Sequence, residues 1–365
     1  MIVLWFFLGA ALLFLTQRAV YQRFWSRRLS VCLRFDQRAV TAGQTATITE
    51  QIENRKLLPL TVFRLRYGVC RNFELLRDRN GRARFFSYTL ALPARRSVRS
   101  RTELKDLPRG IYAITEASIG AQDLFCTERL SEPVTSHSML TVYPAKLPAE
   151  RLQLPFRQLL GAILTRHYAQ EDPFEIRSIR PYEPYDSMRM INWKASARTG
   201  ELKVNLHDHT TDESLLLLLD MESGSILQRE QVISLGSSLC SLFLRRGIGV
   251  SVFANSRSCI GGSTLCVPAG AGVSHQRVID ESLAQIKLST SVPLPFAAFL
   301  ERLSDGSARR ELCTVISAGG SPEISAAFDR LCGKNGGFYI SLSPGQAVQG
   351  SRFTLLPYTE TEATA

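Results

Sequence analysis

The sequence lacks the motifs that mark common catalytic sites. It contains no Gly-x-Ser-x-Gly, no Walker loop, no His-Glu-x-x-His and no Gly-x-Gly-x-x-Gly, so the best-known hydrolase, NTPase and dehydrogenase signatures are unmatched. Its five histidines have no evident serine or cysteine partner. A triad assembled from distant residues stays open, but the sequence predicts a protein that is not an enzyme.

Paired cysteines are missing as well. The eight cysteines are scattered, mostly inside apolar stretches, and no two of them form a C-x-x-C pair. This usage is typical of a reducing compartment, where cysteine acts as a small hydrophobic residue. We therefore expect neither a zinc site nor a disulfide framework.

Lysine is scarce, and seven of the 44 basic residues are Lys while the others are Arg. The formal net charge of +11 is unevenly distributed. Residues 17–110 hold 21 basic and 7 acidic residues, a net of +14, whereas residues 111–365 hold 23 and 26, a net of −3. A basic excess favours nucleic acid or a membrane surface as partner, and either would meet the first third of the chain.

The first 17 residues carry no charge and are followed by Arg18, Arg23, Arg27 and Arg28. An apolar run with a basic and aromatic flank predicts a membrane anchor over residues 1–28. A cleaved signal peptide, the alternative, would have a positive residue before the run and a small-x-small site after it, and both are missing. The positive-inside rule predicts a single-pass protein of the inner or plasma membrane, in contact with its lipids and with its soluble domains in the cytoplasm.

Residues 29–145 show the alternation and turn signals of strands, which predict an Ig-like β-sandwich. Arginine recurs at every second residue, so that each pair shares a face of a sheet. The pairs are Arg64 and Arg66, Arg82 and Arg84, and Arg99 and Arg101. Two interpretations stay open: a solvated outer face, or a surface that faces anionic lipid headgroups. Nucleic-acid binding through this Arg-rich domain is kept as a further alternative function. It is not the expected one, because the aromatics lie in apolar strands and no binding motif occurs.

Residues 146–213 are predicted to connect this domain to an α/β domain over 214–358, with a flexible tail over 359–365. The apolar run Leu215–Leu219 is typical of a buried parallel strand, and strands and helices alternate after it. The pattern predicts a hairpin from 258–260 and 264–267 around Gly261-Gly262, and a last strand at 338–341. The fold class is thus α/β plus β, with a doubly wound C-terminal domain.

One segment, 172–203, carries a dense set of specified residues. Its signature positions are Phe174, Arg180, Tyr182, Asp186, Arg189, Ile191, Trp193, Lys194, Ser196, Ala197, Arg198 and Leu202. The segment resembles the signature of a bacterial family known as domain of unknown function number fifty-eight, although Tyr185 stands where that family has Gly. Gly110-Ile-Tyr112 and Asp123-Leu-Phe125 are also similar to the end of the family's upstream domain.

The resemblance implies a von Willebrand factor A-like α/β domain and pairing with a MoxR-type AAA+ ATPase, for which this chain would be an adaptor or scaffold in the assembly or maturation of other proteins. Two roles are open for the signature residues Arg180, Tyr182, Asp186, Arg189, Trp193, Ser196 and Arg198. They form either a belt that pins the segment to the α/β domain, with Tyr182 and Trp193 packed over Arg–Asp pairs, or a partner-binding surface.

A von Willebrand factor A domain carries a metal-ion-dependent adhesion site whose first loop reads Asp-x-Ser-x-Ser. Here Asp220 is in place, but Glu222 and Gly224 occupy the serine positions, and Ser317 stands where a later aspartate is expected. A residual Mg²⁺ site at Asp220 and Glu222 stays open, and Asp220 can instead brace its loop. His207 and His209 are the other metal candidates, so the second function considered is a metal-dependent hydrolase.

Overall fold

The computed structural model describes residues 2–72, 74–75, 85–127, 129–169, 176–183, 186, 188–207, 214–260, 264–288, 292–304, 311–333, 336–343 and 351–358. The chain is a mixed α/β protein with an N-terminal apolar helix, and it forms two compact units. The first comprises residues 1–145 with 258–262 and 280–287, and the second comprises 146–257, 263–279 and 288–365. Arg82 and Arg84, which were predicted to share a sheet face, lie outside the described residues, as does the predicted turn at Gly261-Gly262.

The elements up to residue 145 are one helix and ten strands among the described residues. They are α1 (Ile2–Phe24), β1 (Leu29–Phe35), β2 (Ala39–Thr41), β3 (Ala46–Asn54), β4 (Leu60–Arg71), β5 (Glu74–Leu75), β6 (Phe85–Leu92), β7 (Ser97–Leu104), β8 (Gly110–Gln122), β9 (Arg129–Val134) and β10 (Met139–Tyr143). Strands were predicted from alternation at 29–35, 46–52, 60–67 and 97–104, and the structure confirms all four.

The later elements begin with α2 and end with β18. They are α2 (Ala149–Ala169), β11 (Ile176–Pro181), a short 3₁₀ helix (Met188–Met190), α3 (Trp193–Thr199), β12 (Lys203–His207), β13 (Ser214–Leu219), α4 (Ile226–Arg245), β14 (Gly249–Arg257), β15 (Thr264–Gly270), α5 (Gly272–Ala284), α6 (Phe296–Ser304), β16 (Leu312–Ser317), α7 (Pro322–Cys332), β17 (Gly337–Ser341) and β18 (Phe353–Pro357).

Two sheets share the core of the first unit. One has the order β1-β3-β7, and the other has the order β2-β10-β8-β4-β5, with β6 beside β4 and β9 beside β8. Leu33 and Ile48 from the first sheet and Phe63, Leu65 and Tyr112 from the second belong to one buried cluster. Burying alternate residues of both sheets in this way removes apolar area from water at about 25 cal/mol per Å².

Two buried charged side chains of the first unit have hydrogen-bond partners within the described residues. Glu50, 1% exposed, accepts hydrogen bonds from the Tyr67 hydroxyl at 2.5 Å and the Thr102 hydroxyl at 2.7 Å. Arg109, 3% exposed, donates to the carbonyls of Leu283 and Ile286. Such pairing is required because an unpaired buried polar group costs about 1–3 kcal/mol.

Helix α1 combines an exposed apolar stretch with an end that is built into the first unit. Residues 3–24 are long and apolar enough to cross a membrane by length and composition, and the apolar stretch is exposed. Near the end of the helix, Tyr21 and the following Trp25 are each 4% exposed and belong to the core cluster. The Tyr21 hydroxyl donates to the Pro59 carbonyl at 2.8 Å. Cleavage after this helix would therefore remove core side chains.

The six-stranded sheet of the second unit has the order β15-β14-β13-β16-β17-β18. Its strands are parallel except β15, which pairs antiparallel with β14 at one edge. Leu215–Leu219 in β13 are fully buried, as expected for a central parallel strand covered on both faces. The carboxyl ends of β13 and β16 lie side by side where the strand order reverses, which is the usual ligand edge of such sheets.

Two sequence predictions in the second half need correction. The hairpin pairs β14 with β15, so residues 258–260 follow the first strand instead of forming it. The last strand is β18, which adds to β17 and was missed because its run is short. The segment predicted to connect the two domains contains the 21-residue helix α2, with Pro155 inside it.

Candidate functional site

Asp220 follows β13 at the reversal of strand order and is fully buried. Its Oδ1 accepts the backbone N–H groups of Glu222 and Ser223 at 2.9 and 3.2 Å. Its Oδ2 accepts the Ser317 hydroxyl from the end of β16 at 2.6 Å. Both carboxylate oxygens are thus occupied by the protein, and Asp220 braces the loop that follows its strand.

The residues around Asp220 do not fit a magnesium ion. The Glu222 carboxylate accepts the Phe296 N–H at 2.6 Å at the start of α6, so it points to that helix. A Cβ added at Gly224 would lie 2.7 Å from the Ala318 Cβ, which means that loop and strand end are in direct contact. Mg²⁺ needs about six oxygen ligands at about 2.1 Å, and Asp220 and Glu222 are not arranged to supply them.

In the described part of the chain, no three His, Cys, Asp or Glu side chains are placed to hold a metal ion together. His207 ends β12, while Asp208 and His209 lie outside the described residues. The histidine pair therefore stays a sequence prediction.

The signature segment is organised around an ion pair between Arg180 and Asp186. The two guanidinium nitrogens donate to the two carboxylate oxygens at 2.7 and 2.6 Å, and the Glu183 N–H adds a third bond at 2.9 Å. The Arg180 hydrogen bonds, followed by that of Glu183, hold the pKa of Asp186 below its ordinary value. Bidentate pairs of this kind fix direction as well as distance.

Ser196 joins α3 to β12. It is 8% exposed, its hydroxyl donates to the Asn192 carbonyl at 2.8 Å, and it accepts the Lys203 N–H at 2.9 Å. The Asn192 side chain caps α3 by accepting the Ala195 N–H. Gly200 ends the helix in the left-handed region, with φ of 74°, where a side chain would be strained. These contacts hold a seven-residue helix that would not persist alone.

Other signature side chains point to solvent. Trp193, at the first position of α3, is 65% exposed. This exposure suits the partner-binding role, which the sequence left open beside the packed belt. Arg198 is exposed and Tyr182 is half-buried. Arg189 lies in the 3₁₀ helix, and its side chain is outside the described residues. The structure therefore pairs Arg180 with Asp186 and hydrogen-bonds Ser196 to β12. It leaves Trp193 and Arg198 on the surface.

A comparison with protein-family models tests the resemblance of the signature segment to a known family. Residues 178–335 match the family model described as "Protein of unknown function DUF58". This segment of the chain is a DUF58 region. It includes the signature from Ser178 onward and most of the α/β elements, and it confirms the resemblance read from the sequence. Gly110–Tyr112 and Asp123–Phe125 lie outside the match.

A curated relative extends the similarity beyond the DUF58 region. "Uncharacterized protein YeaD" of Bacillus subtilis is 23% identical over 251 residues, which is 68% of this chain and 62% of the relative. The chain thus spans less than two thirds of that relative's length.

Solved structures resemble only part of the chain. The CARDB domain of the PF1109 protein from Pyrococcus furiosus is 13% identical, with 31% of this chain and 91% of that one covered, at a TM-score of 0.21. The sporulation control protein Spo0M from Bacillus subtilis is 9% identical, with 43% and 58% covered, at a TM-score of 0.20. Scores this low carry no argument about the fold of the DUF58 region or its neighbours.

Within the DUF58 region, the structure adds site residues that the sequence did not identify. Ser317 marked a missing ligand in the sequence, yet it is the direct partner of Asp220. Asn255, fully buried at the end of β14, accepts the Met221 N–H at 2.8 Å and holds the same loop. A polar residue after or within a buried strand was the available signal, but the partner depends on strand order.

Upstream of the DUF58 region, the arginine pairs occupy two different sheets. Arg64 and Arg66 are exposed on β4, whereas Arg99 and Arg101 are exposed on β7 of the other sheet. Arg64 and Arg66 line a groove of about 200 Å³ with Arg129, over the small residues of β8. The two described arginine pairs therefore do not share one face, and this does not favour a single nucleic-acid surface built from them.

Proposed function

We propose that this protein is a membrane-anchored, non-enzymatic interaction protein whose DUF58 region presents α3 to a protein partner. The observation that carries the proposal is Trp193, which is 65% exposed on a helix that Ser196 holds in place. Exposed aromatics on a fixed backbone are the usual anchors of interfaces, because little conformational entropy is lost when they are buried.

The partner that fits this proposal is a MoxR-type AAA+ ATPase, as the family resemblance implies. In this scheme the ATPase supplies the energy, and the present chain supplies location and contact in the assembly or maturation of other proteins. The buried hydrogen bonds of Asp220 support a domain that works without metal. A metal-dependent hydrolase is not proposed, since the carboxylates of Asp220 and Glu222 both accept hydrogen bonds from the protein.

The architecture assigned here is an Ig-like sandwich followed by a von Willebrand factor A-like domain. The shared core of the two β sheets supports the first assignment. Five parallel strands with an antiparallel edge strand support the second.

The location assigned is the inner membrane, with both domains on the cytoplasmic side. The exposed apolar stretch of α1 supports an anchor, and the burial of Tyr21 and Trp25 supports its retention in the mature chain. The basic residues after the stretch support the orientation. The groove lined by Arg64, Arg66 and Arg129 is the face assigned to anionic headgroups.

The test is affinity purification of the full chain from detergent extracts of its host, with identification of bound proteins by mass spectrometry. Trp193→Ala is the test variant. Val273→Ala is the control, because Val273 is 85% exposed and lies in α5. We expect the wild-type chain and Val273→Ala to retain an AAA+ ATPase and Trp193→Ala to lose it, with circular dichroism spectra unchanged.

Two results would contradict the proposal. Recovery of no AAA+ ATPase with the folded wild-type chain would remove the partner. Equal recovery with wild-type chain and Trp193→Ala would remove α3 as the contact surface.

A further inference from the structure

The hairpin that joins β8 and β9 carries exposed apolar side chains at its tip. Leu124 is 48% exposed and Phe125 is 53% exposed. The residue before them, Asp123, is only 1% exposed. The base of the tip is thus buried while its apolar residues are exposed, and full burial of those residues requires something outside the described chain.

Asp123 holds this tip in place. Its carboxylate accepts the Thr127 N–H and the Thr127 hydroxyl, both at 2.6 Å. It also accepts the side-chain amide of Gln17, in α1, at 3.1 Å. The hairpin is thus hydrogen-bonded to α1 at Gln17, the residue directly before Arg18.

On the N-terminal side of Gln17, the contact between hairpin and helix is apolar. The Phe125 ring lies against the Phe14 ring, with 5.9 Å between centroids. Phe14 precedes Arg18 by four residues, which is about 6 Å along a helix that rises 1.5 Å per residue. The tip of the hairpin therefore lies beside the apolar stretch of α1, on the membrane side of its first charge.

We propose that the tip formed by Leu124 and Phe125 inserts into the interface of the phospholipid bilayer beside α1, as a second membrane contact. This rests on the proposed anchor role of α1. The bilayer is the occupant because Phe125 is continuous with the stretch that would span it. Residues 2–16 cover about 22 Å as a helix, which is shorter than the ~30 Å hydrocarbon core of a bilayer. A short spanning helix draws the domain that follows it toward the membrane surface. An inserted tip fits a first unit held that close to the bilayer.

Cys126, exposed in the same hairpin, provides a probe next to Phe125. The full chain would be placed in nanodiscs of phosphatidylcholine and phosphatidylglycerol, with a polarity-sensitive fluorophore on Cys126 after Cys32→Ser and Cys266→Ser. The matched control carries the fluorophore on Cys32, which is also exposed in the first unit, after Cys126→Ser and Cys266→Ser. Lipids with a nitroxide near the top of the acyl chain are the quencher.

We expect a blue-shifted emission and loss of fluorescence to the nitroxide lipid at Cys126, and neither at Cys32. Phe125→Ser should reduce the quenching at Cys126 while the chain stays folded. Emission at Cys126 that matches Cys32 would overturn the inference. Alkaline carbonate extraction separates this failure from failure of the anchor, since a chain without a spanning helix would leave the membrane altogether.

Discussion

The Ser317 hydroxyl donates to Asp220 Oδ2 at 2.6 Å, so a residue at the end of β16 satisfies the carboxylate at the end of β13. The two positions are 97 residues apart in sequence and are neighbours because the strands pair in parallel. Around the Asp220 carboxylate, the DUF58 region has a closed hydrogen-bond network. Asp220 and Ser317 are both fully buried at the edge where such sheets usually bind ligands.

Replacing Asp220 should therefore reduce stability and leave metal response unchanged. In Asp220→Ala, the N–H groups of Glu222 and Ser223 lose their acceptor in a buried site, which costs about 2–4 kcal/mol. Urea denaturation of the full chain in detergent would measure it, and Asp220→Asn should lose less because it keeps an acceptor oxygen. A Mg²⁺-dependent rise in wild-type stability that Asp220→Ala abolishes would contradict the closed network.

The Arg180–Asp186 pair should stabilise the signature segment in a pH-dependent manner. The pKa of Asp186 is lowered in the folded chain, so its contribution is present above the ordinary carboxyl range and is lost as pH falls through the folded pKa. Amide hydrogen exchange across residues 178–204 should be faster in Arg180→Ala than in wild type at pH 7. At pH 2, after correction for intrinsic rates, the difference should shrink.

Arg198→Ala is the control for that measurement, because Arg198 is exposed on α3 of the same segment. It should exchange like wild type at both pH values. Equal exchange in Arg180→Ala and Arg198→Ala would show that the ion pair does not hold the segment.

Lys56 should make the stability of the first unit rise at alkaline pH. Burial lowers its pKa to about 8 from an ordinary 10.5, although Glu132 acts in the opposite direction. Between these values the unfolded chain binds more protons than the folded chain, so the free energy of unfolding increases with pH. Lys56→Met should flatten this rise in denaturation between pH 8 and 10.5, whereas Lys105→Met, at an exposed lysine, should keep it.

Gly337 should tolerate no side chain at the start of β17. An added Cβ would lie 2.5 Å from the Cys332 sulfur and 2.9 Å from the Cys313 carbonyl oxygen. Gly337→Ala should lower the free energy of unfolding by about 1–3 kcal/mol, the usual range for overpacking. Gly161→Ala in α2 has open space around it and should be neutral or stabilising by up to about 1 kcal/mol; a matching loss there would point to a general effect.

The signature shows both the reach and the limit of residue patterns. The sequence left Arg180, Arg189 and Arg198 open as partners of Asp186, and the structure pairs Arg180 with that carboxylate at 2.6 Å. For Trp193 the sequence left a packed belt and a partner-binding surface open, and the structure leaves the side chain 65% exposed. Local charge was readable from the sequence, whereas exposure was not.

The sequence by itself determined the apolar N-terminal helix, the alternating strands and the buried run at 215–219, because these follow from periodicity over a few residues. Only the tertiary structure decided that Ser317 binds Asp220, that Tyr21 enters the core, and that Phe125 lies beside Phe14. Each of these depends on strand order or on packing between distant segments. Local pattern specifies neither, since the same elements can pair in several orders.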